Sequence, residues 1–187
     1  MRYNTHMVSS LTMGVGLTMV TEIPLSIGFA AGVLIGSLLP DIDEPNSFIG
    51  KRSFGISKLV NWMFGHRGFT HSLFAALPLF LFYLFIKNPE VVVSWFGANI
   101  RTEFFRDLVQ NIAVPAIINF WMGISFGYLF HLVGDFFSKS GIPLFLPITK
   151  KRYKIPIYVT GKKSEQVVFV ICSILLVVLS LFKIGIF

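Results

Sequence analysis

Cysteine is all but missing: one residue, Cys172, sits within the last apolar run of a 187-residue chain. That excludes an internal disulfide framework and any zinc site built from thiolates, so metal chemistry within the chain has to rest on His and carboxylate side chains. Charge is scarce as well. Only 13% of residues are charged against 54% hydrophobic, and the mean hydropathy is +0.73. A soluble domain of this size is rarely so apolar, and the bilayer is the expected solvent. Acidic residues number 9 against 16 Lys and Arg, a net charge of +7. Such a surplus can mark a nucleic-acid binder, but here the basic residues flank apolar segments, where they act as topology signals and contacts to anionic headgroups. No nucleic-acid partner is expected. No small-residue cleavage site stands between Arg2 and Glu22 or Pro24, so the first apolar stretch reads as a retained helix rather than a signal peptide.

What the chain does have is apolar length. Counting His as neutral, five stretches lack formal charge: residues 3–21, 23–40, 68–86, 108–134 and 166–182. A crossing helix needs roughly 17 to 25 apolar residues. The spacing therefore predicts an all-α integral membrane protein of about five transmembrane helices, forming a single domain over 1–187. Gly14, Gly16, Gly28, Gly32 and Gly36 predict close helix packing, Gly32 and Gly36 at the small-xxx-small spacing. The connection over 41–67 is acidic and then basic. The one over 87–107 mixes charges with Trp95, Phe96, Phe104 and Phe105, as interfacial segments do. In the third, Tyr153, Ile155, Ile157 and Val159 alternate with Lys154, Pro156 and Tyr158, which predicts a short β-ribbon before the last helix.

Five crossings would place the N-terminus and the first and third connections on one side, together with twelve of the 16 Lys and Arg. By the positive-inside rule that side is cytoplasmic, in a multi-pass protein of the cell membrane. The same topology brings His6, Asp41, Asp43, His66, His71, His131 and Asp135 to one face. His131 and Asp135, four apart in HLVGD, share a helical face and suit one metal; a structural ion pair is the plainer alternative. Asp41 and Asp43, in the turn bracketed by Pro40 and Pro45, point the same way if the segment is extended. GHRGFTHS supplies His66 and His71 from a loop expected to enter its helix near Thr70, with Gly65 and Gly68 allowing close backbone approach. Arg67 between them suits a phosphate or the orientation of a carboxylate, and it also serves as a topology marker.

THMVSSLTMG, GSLLPDIDEPNS, GHRGFTHSL and GYLFHLVGDFFSKSGIPLFLPI, in that order, resemble the YdjM-like family of membrane-bound metal-dependent hydrolases over nearly the whole chain. The resemblance implies a metal-dependent hydrolase carried by His6, Asp41, Asp43, His66, His71, His131 and Asp135. Ser138 stands where many relatives carry Thr, and keeps the hydroxyl. Seven candidate ligands exceed the three of a mononuclear catalytic zinc site and leave room for one or two divalent ions, Zn, Mn or Fe. Some of the seven serve equally well as groups that orient a ligating histidine. The expected reaction is hydrolysis of a phosphoester of a lipid or lipid-linked substrate at the cytoplasmic membrane face. His66, His71, His131 and Asp135 are expected as ligands, Asp41 or Asp43 as bridge or general base, and Arg67, with Lys51 or Arg52, as phosphate binder. A metal transporter, a sensor or a structural stress protein would use the same side chains without catalysis; transporters usually hold the ion near the bilayer midplane. Oligomeric state is not legible.

Overall fold

The computed structural model describes residues 1–88 and 114–185. The interfacial segment expected over 87–107 and the start of the fourth apolar stretch lie almost wholly outside them. Six α-helices occur among the described residues: α1 (Tyr3–Val20), α2 (Ile27–Gly36), α3 (Ile56–Phe64), α4 (Leu73–Lys87), α5 (Val114–Phe136) and α6 (Lys163–Lys183). Three 3₁₀ turns, Leu39–Asp43, Gly50–Arg52 and Phe69–His71, shape the connections around α3.

Local chemistry explains the boundaries. Ser26 caps α2 by accepting a hydrogen bond from Phe29 N–H, and Ser72 caps α4 by accepting one from Ala75 N–H, each satisfying a donor that the first turn leaves free. The buried face of α1 is made of small polar residues rather than large apolar ones. Thr12 and Thr18 return their hydroxyls to the carbonyls of Val8 and Val15, which lets them be buried without an orphaned donor.

Helix α5 is the centre of the bundle, with α1, α2 and α4 against it and α6 against α1. The α2–α5 contact is backbone on backbone. A Cβ added at Gly32 would lie 2.1 Å from the Phe120 carbonyl oxygen, and one at Gly36 would lie 2.1 Å from that of Ile124. Glycine spaced at i, i+4 is what lets these axes approach so closely. Phe29, Val33 and Met122 fill one core there; Ala76, Tyr128, Leu132 and Ile142 fill another between α4 and α5.

Two expectations are corrected. Among the described residues, only two helices are long and apolar enough to cross a membrane, over Ala116–Phe136 and Lys163–Lys183, not about five. An uncharged run of sequence does not report where the backbone breaks. Helix α2 spans only 10 residues and ends at Gly36, and Pro40 lies in the 3₁₀ turn that follows, so it is about half the length a crossing needs. Helix α1 has the length at 18 residues but is diluted by Ser, Thr and Gly, and α4 is an apolar helix of 15 residues.

The β-ribbon is absent as well among the described residues. The segment after Arg152 pairs with the chain leaving α5 through two isolated bridges, Ser138 with Tyr158 and Ile142 with Tyr153, and turns tightly at Pro156, where Ile157 N–H also bonds the Ile155 carbonyl at 2.9 Å. Pro156 has no N–H to donate, and the N–H groups of Ile155 and Ile157 bond instead to the carbonyls of Phe136 and Phe137. Alternation alone does not make a ribbon, which needs a continuous partner strand, and among the described residues none is present.

Candidate metal centre

The centre forms where the C-terminal end of α5 meets the 3₁₀ turns before α3 and α4. The last turns of α5 present His131 and Asp135 one helical turn apart. The turn Leu39–Asp43 presents Asp41 and Asp43, and the turn Phe69–His71 presents His71. His6 arrives from the first turns of α1, its ring stacked on that of His131 at 3.6 Å between centroids and 7° between planes. His6, Asp43, His71, His131 and Asp135 are buried completely.

Two histidines are oriented by bonds that leave the other ring nitrogen aimed inward. His131 Nδ1 is 2.6 Å from the Ser37 carbonyl oxygen, an acceptor only, so Nδ1 carries the proton. His71 Nδ1 is 3.0 Å from Asp43 Oδ2 and donates to it. Both Nε2 atoms then point into the same space, 3.3 Å apart. If both rings are neutral, two lone pairs face each other there, which is repulsive in a buried site unless a cation or a proton lies between them. Asp41 Oδ1 stands 3.6 Å from His71 Nε2 and 3.7 Å from His131 Nε2, and Asp135 Oδ2 stands 3.6 Å from His71 Nε2.

Orphaned polar atoms point the same way. Both ring nitrogens of His6 and Oδ2 of Asp135 are buried without a hydrogen-bond partner, an arrangement that costs free energy unless a ligand completes it. Three overlapping groups bring their ligand atoms within 4.8 Å of one another: His6, Asp41 and His131; His71, His131 and Asp135; Asp41, Asp43 and His71. Neutral imidazole and carboxylate are the donors that Zn, Mn and Fe accept. The residues fit a divalent ion, and Asp41, shared between groups, sits where a bridging carboxylate would serve two.

The two aspartates of the DID triplet do not point the same way. A 3₁₀ turn advances about 120° per residue, so Asp41 faces Nε2 of His71 while Asp43 faces its Nδ1. Asp43 also accepts from Arg67 N–H at 2.9 Å and from the Thr70 hydroxyl, and thereby fixes the whole GHRGFTHS loop. The left-handed φ of 55° at Arg67 helps aim that N–H, an unusual conformation for a side-chain-bearing residue. The Arg67 guanidinium is spent inside the site. Its Nη2 lies 2.8 Å from Asp135 Oδ2, an ion pair without hydrogen-bond alignment, and its Nη1 donates to Ser138 Oγ at 3.2 Å. Asp135 Oδ1 receives the Met1 amino group at 2.8 Å and has His6 Nε2 at 3.5 Å.

His66 is not brought into the group. Its side chain is 45% exposed, with Nδ1 3.3 Å from Asp43 Oδ1 and 3.6 Å from Glu44 Oε2. Sequence reading also passed over Ser37, Thr70 and Tyr128, whose hydroxyl donates to the Thr70 carbonyl. The signal for Thr70 was its place within GHRGFTHS; the Ser37 carbonyl, a backbone atom, left none.

The electrostatics follow from this packing. Burial opposes charge at Asp43, yet His66, His71 and Thr70 hold its carboxyl well below the ordinary range. Burial likewise opposes charge at Asp41, and the facing histidines, His131 first, hold it low. Burial also works against a charged His71, but the Asp41 and Asp43 carboxylates raise it to about 9. A cleft of about 470 Å³ opens beside the centre, lined by Asp41, His66 and Arg67 together with Arg2, Tyr3 and Phe48.

Comparison with known proteins agrees with the membrane setting. Residues 1–186 match the family model described as YdjM inner membrane protein. The inner membrane protein YdjM of Escherichia coli (strain K12) is 38% identical over 144 residues, 77% of this chain and 61% of the relative. Its Shigella flexneri counterpart gives the same values. Bacillus subtilis (strain 168) YvsG, described as uncharacterized, is 34% identical over 140 residues, 74% of this chain and 69% of the relative. The match thus spans about three fifths of the length of the first two relatives. No solved structure matches. With two membrane-length apolar helices and a family match along almost its entire length, this chain is a membrane protein and belongs to the YdjM family of inner membrane proteins.

Proposed function

We propose that this protein is a membrane-embedded metal-dependent hydrolase acting on a phosphoester of a lipid or lipid-linked substrate at the cytoplasmic headgroup level. The observation that carries the reading is the pair of inward-facing Nε2 atoms of His71 and His131, 3.3 Å apart in a buried space walled by carboxylates. His71, His131 and Asp135 would hold one ion, with His6 and Asp41 available for a second. A divalent ion supplies Lewis acidity and lowers the pKa of water, which is what phosphoester hydrolysis requires.

The remaining residues have roles that follow from position. Asp41, 15% exposed at the cleft, is the carboxylate that reaches both the centre and entering water, and would orient that water by accepting its hydrogen bond at an Oδ atom. Asp43 holds His71 in the tautomer that leaves Nε2 free. Arg67 holds Asp135 from the wall of the cleft, and Arg2, which lines the same cleft, is the cation left to meet an incoming phosphate. The basic connections at this end of the bundle, Lys51 to Lys58 and Lys150 to Lys154, support a cytoplasmic orientation. Burial of four of the ligands favours one rival, a closed structural site that staples the helices; the cleft ending at Asp41 favours the open, catalytic one.

Purified protein loaded in turn with Zn, Mn and Fe should bind at least one ion per chain and turn over a member of a lipid phosphoester panel, and His131→Ala should lose both properties. Stoichiometric metal with no turnover of any substrate would leave the structural reading standing. Cysteines placed at Lys58 and Lys154 in a Cys172→Ser background should resist impermeant thiol reagents in intact cells; labelling of both from outside would reverse the orientation.

A further inference from the structure

Helix α3 is amphipathic in the reverse sense to a helix of a water-soluble surface. Ile56, Leu59, Val60 and Met63 stand at the i, i+3, i+4, i+7 spacing of one face. Yet Ile56, Leu59 and Met63 are exposed, as is Trp62 at 81%. The polar side points inward: Ser57 is buried, and Asn61 Nδ2 donates to the Asp43 carbonyl at 2.7 Å. Phe54, at the turn into the helix, is fully exposed at 102%. A helix that shows water its apolar face and its own protein its polar face is stable only where something apolar covers the outside.

The path of the chain limits what that cover is. Helix α3 is 9 residues long, about 13 Å, less than half of a bilayer core. The segment around it leaves from Asp43 and returns to it, since Arg67 N–H bonds the Asp43 carboxylate. It therefore stays at one membrane surface. From Asn46 to Arg67 its charges are all of one sign, and Lys51, Arg52 and Lys58 are exposed around the apolar face. Apolar side chains beside an aromatic and a basic rim are what the acyl boundary of an anionic leaflet accepts. The segment after Arg152 at the same end of the bundle repeats the pattern, with Ile155 and Ile157 exposed next to exposed Lys154.

We infer that α3 is an in-plane membrane anchor: its Phe54, Leu59, Trp62 and Met63 side chains insert into the acyl boundary of an anionic leaflet, and Lys51, Arg52 and Lys58 meet the headgroups. Because Asn61 ties this helix to Asp43, the anchor sets the centre at headgroup depth. The inference stands on the exposure pattern of α3 and does not depend on whether the centre hydrolyses anything.

Trp62 is its own depth probe. The Trp95→Phe, Trp121→Phe protein leaves Trp62 as the sole tryptophan and is reconstituted into phosphatidylcholine and phosphatidylglycerol vesicles brominated either near the headgroup end or near the chain terminus of the acyl chains. Quenching is expected from both, at least twofold stronger from the shallow bromines, with emission blue-shifted from that of tryptophan in water. No quenching from either, with water-like emission, would overturn the proposal and place another protein surface or water on α3. Quenching dominated by the deep bromines would overturn the in-plane orientation. Phe54→Trp in a background lacking all three native tryptophans should give the same depth profile, which guards against local misfolding of one variant; a profile like that of water at this second probe would count equally against insertion.

Discussion

Arg67 and Asp135 form a buried ion pair across the centre, guanidinium Nη2 to carboxylate Oδ2 at 2.8 Å. The pair binds the GHRGFTHS loop to α5, and its neighbour Ser138 accepts a bond from the second guanidinium nitrogen. Arginine in this place is engaged by the protein's own side chains.

Arg67→Ala is therefore expected to lower metal content and turnover together, because it frees Asp135 and leaves a buried carboxylate less compensated, a change of about 3 to 5 kcal/mol when one partner of a buried pair is removed. Arg67→Lys should restore part of both, since a single ammonium replaces the fork. Metal analysis and turnover on the same detergent preparation test this. Full metal with turnover alone lost would assign Arg67 to the substrate phosphate instead.

Asp43 is expected to act through His71 rather than on the ion. Asp43→Asn weakens the acceptor that holds His71 Nδ1–H, Arg67 N–H and the Thr70 hydroxyl, and outer-shell changes of this kind lower metal affinity about 10- to 100-fold. Titration should show weaker binding with unchanged stoichiometry at saturation. Loss of an ion from the stoichiometry would make Asp43 a ligand.

In the proposed metal centre, His71 would link ion uptake to protons. In the metal-free protein its pKa is raised from 6.5 to about 9, burial opposing and the Asp41 and Asp43 carboxylates prevailing. A raised folded-state pKa contributes stability that is fully present below pH 6.5 and is lost as pH rises through about 9. An ion at Nε2 must displace that proton, so affinity should climb up to tenfold per pH unit below about 9 and then flatten. Calorimetry in buffers of different ionisation enthalpy should show proton release at pH 7 and little above pH 9.5; no release at pH 7 would contradict the protonated resting state.

Packing offers a test independent of chemistry. Gly32→Ala puts a Cβ 2.1 Å from the Phe120 carbonyl oxygen, whereas Gly14→Ala meets only side-chain carbons at 3.5 Å or more. Overpacking of the first kind costs about 1 to 3 kcal/mol and would push α2, with the Ser37 carbonyl that orients His131, away from α5. Gly32→Ala should lower the thermal midpoint and metal affinity while Gly14→Ala stays near the parent protein. Equal behaviour of the two would deny the close α2–α5 contact.

The sequence by itself determined the solvent, the side-chain chemistry available and the family: few charges and long apolar runs require a membrane, one cysteine leaves His and carboxylate as the donors any ion would meet, and four short blocks carry the YdjM likeness. It also determined the close helix packing, because glycine at i, i+4 has few other uses in an apolar helix. Tertiary structure decided the rest. How many helices are long enough to span depends on where backbone hydrogen bonding breaks, at Gly36 and through the turn containing Pro40, which hydropathy does not register. That the Tyr153–Tyr158 segment lies against the exit of α5 rather than forming a ribbon depends on which carbonyls are within reach. Whether an aspartate faces Nε2 or Nδ1 of His71 depends on the 3₁₀ twist between residues 41 and 43, and whether His66 enters the centre depends on the left-handed turn at Arg67. Residue type is written in the sequence, but the direction a side chain points is set by the packing around it.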